Sequence, residues 1–122
     1  MNDSDKRYEL TEEDGIPVIR FRIYFEGEKM GPEISVLVQS LLEKKQTHII
    51  MDFAACPVVN SVAFGVLLKT GALIVDDFQG RLLLTGATGV LTKVFETAGV
   101  TVFGEIFPTV PAAIKSIRAA GE

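Results

Sequence analysis

Ile49-Ile-Met-Asp-Phe-Ala-Ala-Cys-Pro-Val-Val-Asn-Ser-Val-Ala63 is the stretch that decides the fold. With His48 before it, it opens as a near-continuous apolar run over residues 48–53, and a strand without a wet face belongs in a sheet covered on both sides. Pro57 then marks a turn, and Asn60-Ser61 supply residue types favoured where a helix begins. The first four backbone N–H groups of a helix lack intrahelical partners, and the macrodipole is positive at that end. A hydroxyl at Ser61 therefore sits where an anionic group, a phosphate included, is accommodated without unfolding the helix.

Toward the C-terminus, the apolar residues after Ser61 carry a helix to about Phe78, where Gln79-Gly80 ends it. Residues 81–85, centred on Leu82-Leu-Leu84, read as a further buried strand. Gly86 and Thr88 open a third helix that runs to about Ala98 and closes at Gly99, a C-cap glycine. Residues 100–103 give a short strand, and residues 108–119 a last helix with Val110, Ile114 and Ile117 on one side.

Toward the N-terminus, residues 32–45 read as the first helix. Pro32 stands at its first position, Glu33 lies beside the positive end, and Ile34, Leu37, Val38, Leu41 and Leu42 form one apolar stripe. Residues 27–31 break the pattern. Residues 8–10 and 16–25 flank Glu12-Glu13-Asp14-Gly15, an acidic tip ending in the glycine that a tight hairpin favours. Within the second strand, Phe21, Ile23 and Phe25 alternate with Arg20, Arg22 and Tyr24, as expected of one covered face. The order is β-β-α-β-α-β-α-β-α, and repeated strand-helix-strand units impose right-handed parallel crossovers. The expected fold class is α/β: a single domain over 1–122, with residues 1–6 as a flexible N-terminus. Its mixed sheet starts with an antiparallel hairpin, continues in parallel, and carries about four helices.

Composition narrows the function. The chain has 122 residues, 48% hydrophobic and 23% charged, and no stretch approaches the ~20 apolar residues of a membrane helix. Its start, Met-Asn-Asp-Ser-Asp-Lys-Arg, lacks the apolar run of a signal peptide, so a cytoplasmic location is expected. A net charge of -4 and twelve scattered basic residues argue against a nucleic-acid partner. One cysteine, Cys56, allows no intrachain disulfide, and one histidine, His48, allows no Cys/His zinc cluster. No metal and no cofactor are expected.

The segment Asn60-Ser61-Val62-Ala63-Phe64-Gly65-Val66-Leu67-Leu68 resembles the motif that follows the central strand of the STAS domain family, Asp-Ser-Ser/Thr-Gly-x-Gly before an apolar helix. Leu84-Thr-Gly86 and Val94-Phe-Glu-Thr-Ala-Gly-Val100 resemble that family's second block, a strand followed by a helix ending in hydrophobic-x-x-x-Gly-hydrophobic. The resemblance is to the bacterial anti-sigma-factor antagonists and covers nearly the whole chain. It implies a non-enzymatic switch: the unphosphorylated domain binds an anti-sigma factor that is also a serine protein kinase and frees the sigma factor. Phosphorylation of the motif serine, here Ser61, ends that binding. The expected partner surface covers Asn60, Ser61, Val62 and Phe64, and Gly86 and Thr88 join it because in an α/β sheet the turn at 86–89 lies at the same strand carboxyl ends as Ser61. Asn60 replaces the family's Asp, Val62 its second hydroxyl residue and Ala63 its first Gly. Replacing Asp by Asn removes a repulsion toward a phosphate of about -1.5 to -2 charge. The second reading is a constitutive STAS scaffold or adaptor in a stress-signalling or lipid-transport assembly.

Other residues compete for a role. Ser61 and Asn60 are both residue types that cap helices. Thr85-Gly-Ala-Thr-Gly-Val-Leu-Thr-Lys93 follows a strand and opens a helix, but its spacing is not Gly-x-x-x-x-Gly-Lys-Ser/Thr, which excludes a P-loop. Cys56 lies eight residues along the strand from His48, too far for a nucleophile and its base. Asp52 near the strand end could hold a cation or orient Ser61. Residues 27–31, with Tyr24, Phe25 and Met30 around them, could form part of a partner surface, although core packing explains Phe25 equally well.

Overall fold

The computed structural model describes residues 7–121; the expected flexible N-terminus, residues 1–6, lies outside the described residues. Among these residues the chain forms five strands, β1 (Tyr8–Glu13), β2 (Ile16–Phe25), β3 (His48–Val59), β4 (Arg81–Thr85) and β5 (Gly104–Phe107), and four α-helices, α1 (Gly27–Glu43), α2 (Ser61–Ala72), α3 (Gly89–Thr97) and α4 (Val110–Ala119). The sheet runs β1-β2-β3-β4-β5; β1 is antiparallel to β2 and the other pairs are parallel. The α/β class, the mixed sheet and the element order expected from the sequence are all present.

The opening hairpin turns on Asp14 and Gly15, both with positive φ (53° and 80°), between the paired Glu13 and Ile16. Two left-handed central residues match the twist of the flanking strands. Side-chain alternation then divides the sheet. Ile49, Met51 and Phe53 of β3, with Leu82 and Leu84 of β4, face the core made by Ile34, Val38 and Leu42 of α1, Leu67 of α2 and Phe95 of α3. Ile50, Leu83 and Val18 face the other way, onto Val110, Ala113, Ile114 and Ile117 of α4. Three helices thus cover one face and α4 alone covers part of the other.

Four expectations need correction. Helix α1 begins at Gly27, not at Pro32: Glu26 Oε1 accepts from the backbone N–H of Glu28 (2.7 Å) and of Lys29 (3.2 Å), so the supposed break is the capped first turn and Pro32 lies inside the helix. Strand β3 does not turn at Pro57 but continues to Val59. Its pairing with β4 ends at Asp52↔Thr85, so beyond that point β3 is an edge on that side, where proline is tolerated. The last strand is Gly104–Phe107, and residues 100–102 form a 3₁₀ turn instead. Gly99, left-handed at φ 82°, sends the chain into that turn and Val100 into the core.

The fourth correction concerns Ile23, which does not join Phe21 and Phe25 in the core. The β2–β3 register shifts on either side of Arg22, Ile23 takes φ 61°, and its side chain is 70% exposed. Ejecting it lets the rings of Phe21 and Phe25 stack at a centroid distance of 4.3 Å. Smaller shifts occur at helix ends: α2 passes at Leu73–Asp77 into a π-helical turn, and α4 starts at Val110 behind its cap Thr109 rather than at Pro108.

Candidate functional site

The β3–α2 junction is held by Asn60. Its backbone is extended (φ -82°, ψ 171°), and its Oδ1 accepts from the N–H of Ala63 at 2.9 Å, the geometry of an N-cap. The same oxygen accepts from Gly27 N–H at 2.9 Å, and Nδ2 donates to Glu28 Oε1 at 2.7 Å. One amide thereby ties the first turn of α1 to the first turn of α2. Gly27 makes the approach feasible, since a Cβ there would overlap the Ala63 nitrogen and stand 2.5 Å from the Val62 carbonyl carbon and 2.7 Å from Ala63 Cα.

Because Asn60 supplies the cap, Ser61 is the first helical residue and not the capping one. It is exposed, as is Val62 at 43%, so the hydroxyl faces solvent at the positive end of α2. Phe64 is half-buried and its ring meets Phe95 of α3 edge-on at 5.9 Å, which makes it a strut between two helices as much as a surface residue. Thr88 caps α3 by accepting from Leu91 N–H at 3.1 Å. Gly86, at φ 73°, packs against β3: a Cβ there would meet Ala54 N at 2.7 Å and Asp52 Oδ1 at 2.8 Å.

Sequence reasoning set residues 27–31 apart as a candidate partner surface but did not link Glu26, Gly27 or Glu28 to Asn60, to which the fold brings them from more than thirty residues away. The Glu26 carboxyl, first, and the Asn60 amide hold the Glu28 carboxyl below its ordinary value. The charge absent from position 60 is thus present one side chain away.

Asp52 does not orient Ser61. It is 7% exposed and lies on the α4 side of the sheet, where Arg20 Nη1 donates to its Oδ2 at 3.0 Å and Thr85 Oγ1 to its Oδ1 at 2.9 Å. Arg20 also donates to Thr11 Oγ1 through Nε (3.1 Å) and to Glu13 Oε1 through Nη2 (3.1 Å). A polar ladder therefore crosses β1 to β4. It floors a cavity of about 610 Å³ walled by Val110, Ile114 and Lys115 of α4, which Gly86 lines and Ser61 does not. Tyr24 is half-exposed, whereas Phe25 and Met30 are core. Cys56 is buried, and burial pushes its thiol above its ordinary value, away from the reactive thiolate. Among the described residues no three His, Cys, Asp or Glu side chains gather as a metal cluster, and no helix is long and apolar enough to cross a membrane.

No family model matches the chain, and no curated protein is significantly similar in sequence. Solved structures are similar in fold. The Bacillus cell fate determinant SpoIIAA in its phosphorylated form superposes with a TM-score of 0.68 at 20% identity, covering 90% of this chain and 98% of its own. An anti-sigma factor antagonist from Mycobacterium paratuberculosis gives 0.74 at 16%, covering 91% and 92%. A chain from the stressosome, described as a signal integration and transduction hub, gives 0.72 at 13%, covering 93% and 99%.

Proposed function

We propose that this chain, which has the STAS fold of the antagonists above, is itself an anti-sigma-factor antagonist whose docking surface centres on Ser61. In this reading it binds, without catalysis of its own, an anti-sigma factor that is also a serine protein kinase. Phosphorylation of Ser61 ends the complex. The observation that carries the reading is the division of labour at the junction: Asn60 takes the capping role, which leaves the Ser61 hydroxyl exposed at a helix start. A phosphate there is compatible with the helix macrodipole. It must be desolvated when a partner covers it, and a penalty of roughly 2 to 4 kcal/mol weakens the complex about 30- to 1,000-fold.

The test is intact-mass spectrometry after incubation with ATP and each serine-kinase anti-sigma factor of the source organism. The reading expects a gain of one phosphate that Ser61→Ala abolishes. Stable complexes without phosphate transfer would refute the switch. A second reading, a constitutive scaffold, is favoured by the fit to the stressosome chain and by the loss of the motif Asp and Gly. Ser61→Asp separates the two: it disrupts binding by a switch and leaves a scaffold's assembly unchanged.

A further inference from the structure

The cavity on the α4 side of the sheet has no part in the Ser61 reading. Its volume of about 610 Å³ is that of a small-molecule site, and it lies past the carboxyl ends of β4 and β5, where Gly86 follows Thr85 and Pro108 follows Phe107. In open α/β sheets such ends are where ligands bind. Gly86 keeps the floor open: it leaves clear the space beside Asp52 Oδ1 and Ala54 N that a Cβ would fill.

Charge around the cavity is sorted. Asp52, its side chain nine-tenths buried, and Glu13 both pair with Arg20, at 3.0 and 3.1 Å, and Asp14 pairs with Arg118 at 3.3 Å. Each carboxylate of the lining thus already has a guanidinium, which a cationic ligand would have to displace. Lys115 is the exception among the cations. It lines the same cavity, is exposed, and among the described residues pairs with no carboxylate. On α4, Lys115 and Arg118 follow Pro111 at four and seven residues, next to the stripe of Val110 and Ile114. The wall therefore passes from hydrocarbon to positive charge within two turns. A ligand that satisfies both parts has an apolar body and one negative charge.

We propose that this cavity binds a small aliphatic monocarboxylate, with the carboxylate on Lys115 and the chain against Val110, Ile114 and Pro108. None of these residues lies on α2, and the test involves no kinase, so the proposal stands or falls separately from the Ser61 switch.

The probe is octanoate, titrated calorimetrically into the full chain and followed by amide NMR. Acetate serves as the acid without a chain, and octylammonium as the chain with the opposite charge. Octanoate is expected to saturate one site with a dissociation constant of about 1 mM or tighter, and both counterparts to bind about tenfold more weakly or not at all. The amides that shift are those of residues 13–14, 52–54, 86 and 108–118, and not those of α2. Lys115→Gln weakens octanoate about tenfold or more, while Lys115→Arg, and Lys93→Gln on α3, stay within about threefold of wild type. Lys115 and Lys93 are exposed, so all three variants melt with wild type. Octanoate that fails to saturate, shifts confined to other residues, octylammonium binding as tightly as octanoate, or a Lys115→Gln protein that binds like wild type would each overturn the proposal.

Discussion

Replacing Gly27 by Ala places a methyl group where the first turns of α1 and α2 touch. The overlap is with backbone atoms of Val62 and Ala63, which cannot swing aside as side chains do, so the two helix starts must separate by close to an ångström. Overpacking of this kind costs about 1–3 kcal/mol. Separation also loosens the Gly27 N–H bond to Asn60, about 1 kcal/mol. The better helix propensity of Ala returns about 1 kcal/mol. The balance is a loss of about 1–3 kcal/mol, which for a domain of this length lowers the melting temperature by roughly 4–12 °C. Scanning calorimetry reads it directly. Gly65→Ala is the companion: a Cβ there meets nothing within 4 Å, so the same substitution raises stability by about 0.5–1 kcal/mol. A Gly27→Ala protein that melts within 3 °C of wild type, or a Gly65→Ala protein that falls with it, would refute the account of the α1–α2 contact.

Three further outcomes follow from the charged groups. Arg20→Met strands the Asp52 carboxylate under α4 and destabilises by about 2–4 kcal/mol in urea unfolding, with part of the loss recovered by adding Asp52→Asn; independent, additive effects would contradict the ladder. Tyr8 is pushed up to about 12 by burial and then by Glu33, whose Oε1 accepts from its hydroxyl at 2.7 Å. Its contribution to stability is therefore complete below the ordinary value of 10.0 and disappears as pH rises toward 12; tyrosinate absorbance shows one late-ionising tyrosine that Glu33→Ala brings back toward its ordinary value. The lowered Glu28 carboxyl has the opposite sign: its stabilisation is present above 4.5 and is lost as pH falls below that. Acid melts of wild type and Glu28→Gln converge in that range, and curves that stay parallel down to pH 2 would contradict the Asn60–Glu28 contact.

The buried triplets Ile49-Ile-Met51 and Leu82-Leu-Leu84, set between helical segments, made the parallel sheet legible in the sequence, because consecutive apolar residues in a strand are characteristic of a sheet covered on both faces. What escaped depended on distant partners. Pro57 looked like a turn because the permission for proline comes from β4 stopping at Thr85, a fact of tertiary pairing. Pro32 suits a helix start so well that it hid the true start, which is capped by Glu26, an uncommon capping residue. Ile23 broke its alternation because two phenylalanines stack across it, and Val100 left its strand because Gly99 turned the chain. At the candidate site, Asn60 and Ser61 were readable from local helix-start chemistry. Glu28 was not, since its hydrogen bond to Asn60 spans 32 positions.

A central strand that is apolar on both sides faces a problem of identity. Ile49, Ile50 and Met51 are nearly interchangeable to a hydrophobic core, so sliding β3 by one residue against its neighbours would exchange its two faces at little apolar cost. The ladder from Arg20 through Asp52 to Thr85, each in register with the next, removes that freedom. A slipped sheet would set Met51 opposite Arg20 and turn Asp52 into the three-helix core without a counter-charge. Three polar residues thus act as the key that admits one alignment, and the position of Ser61 at the end of β3 is inherited from it.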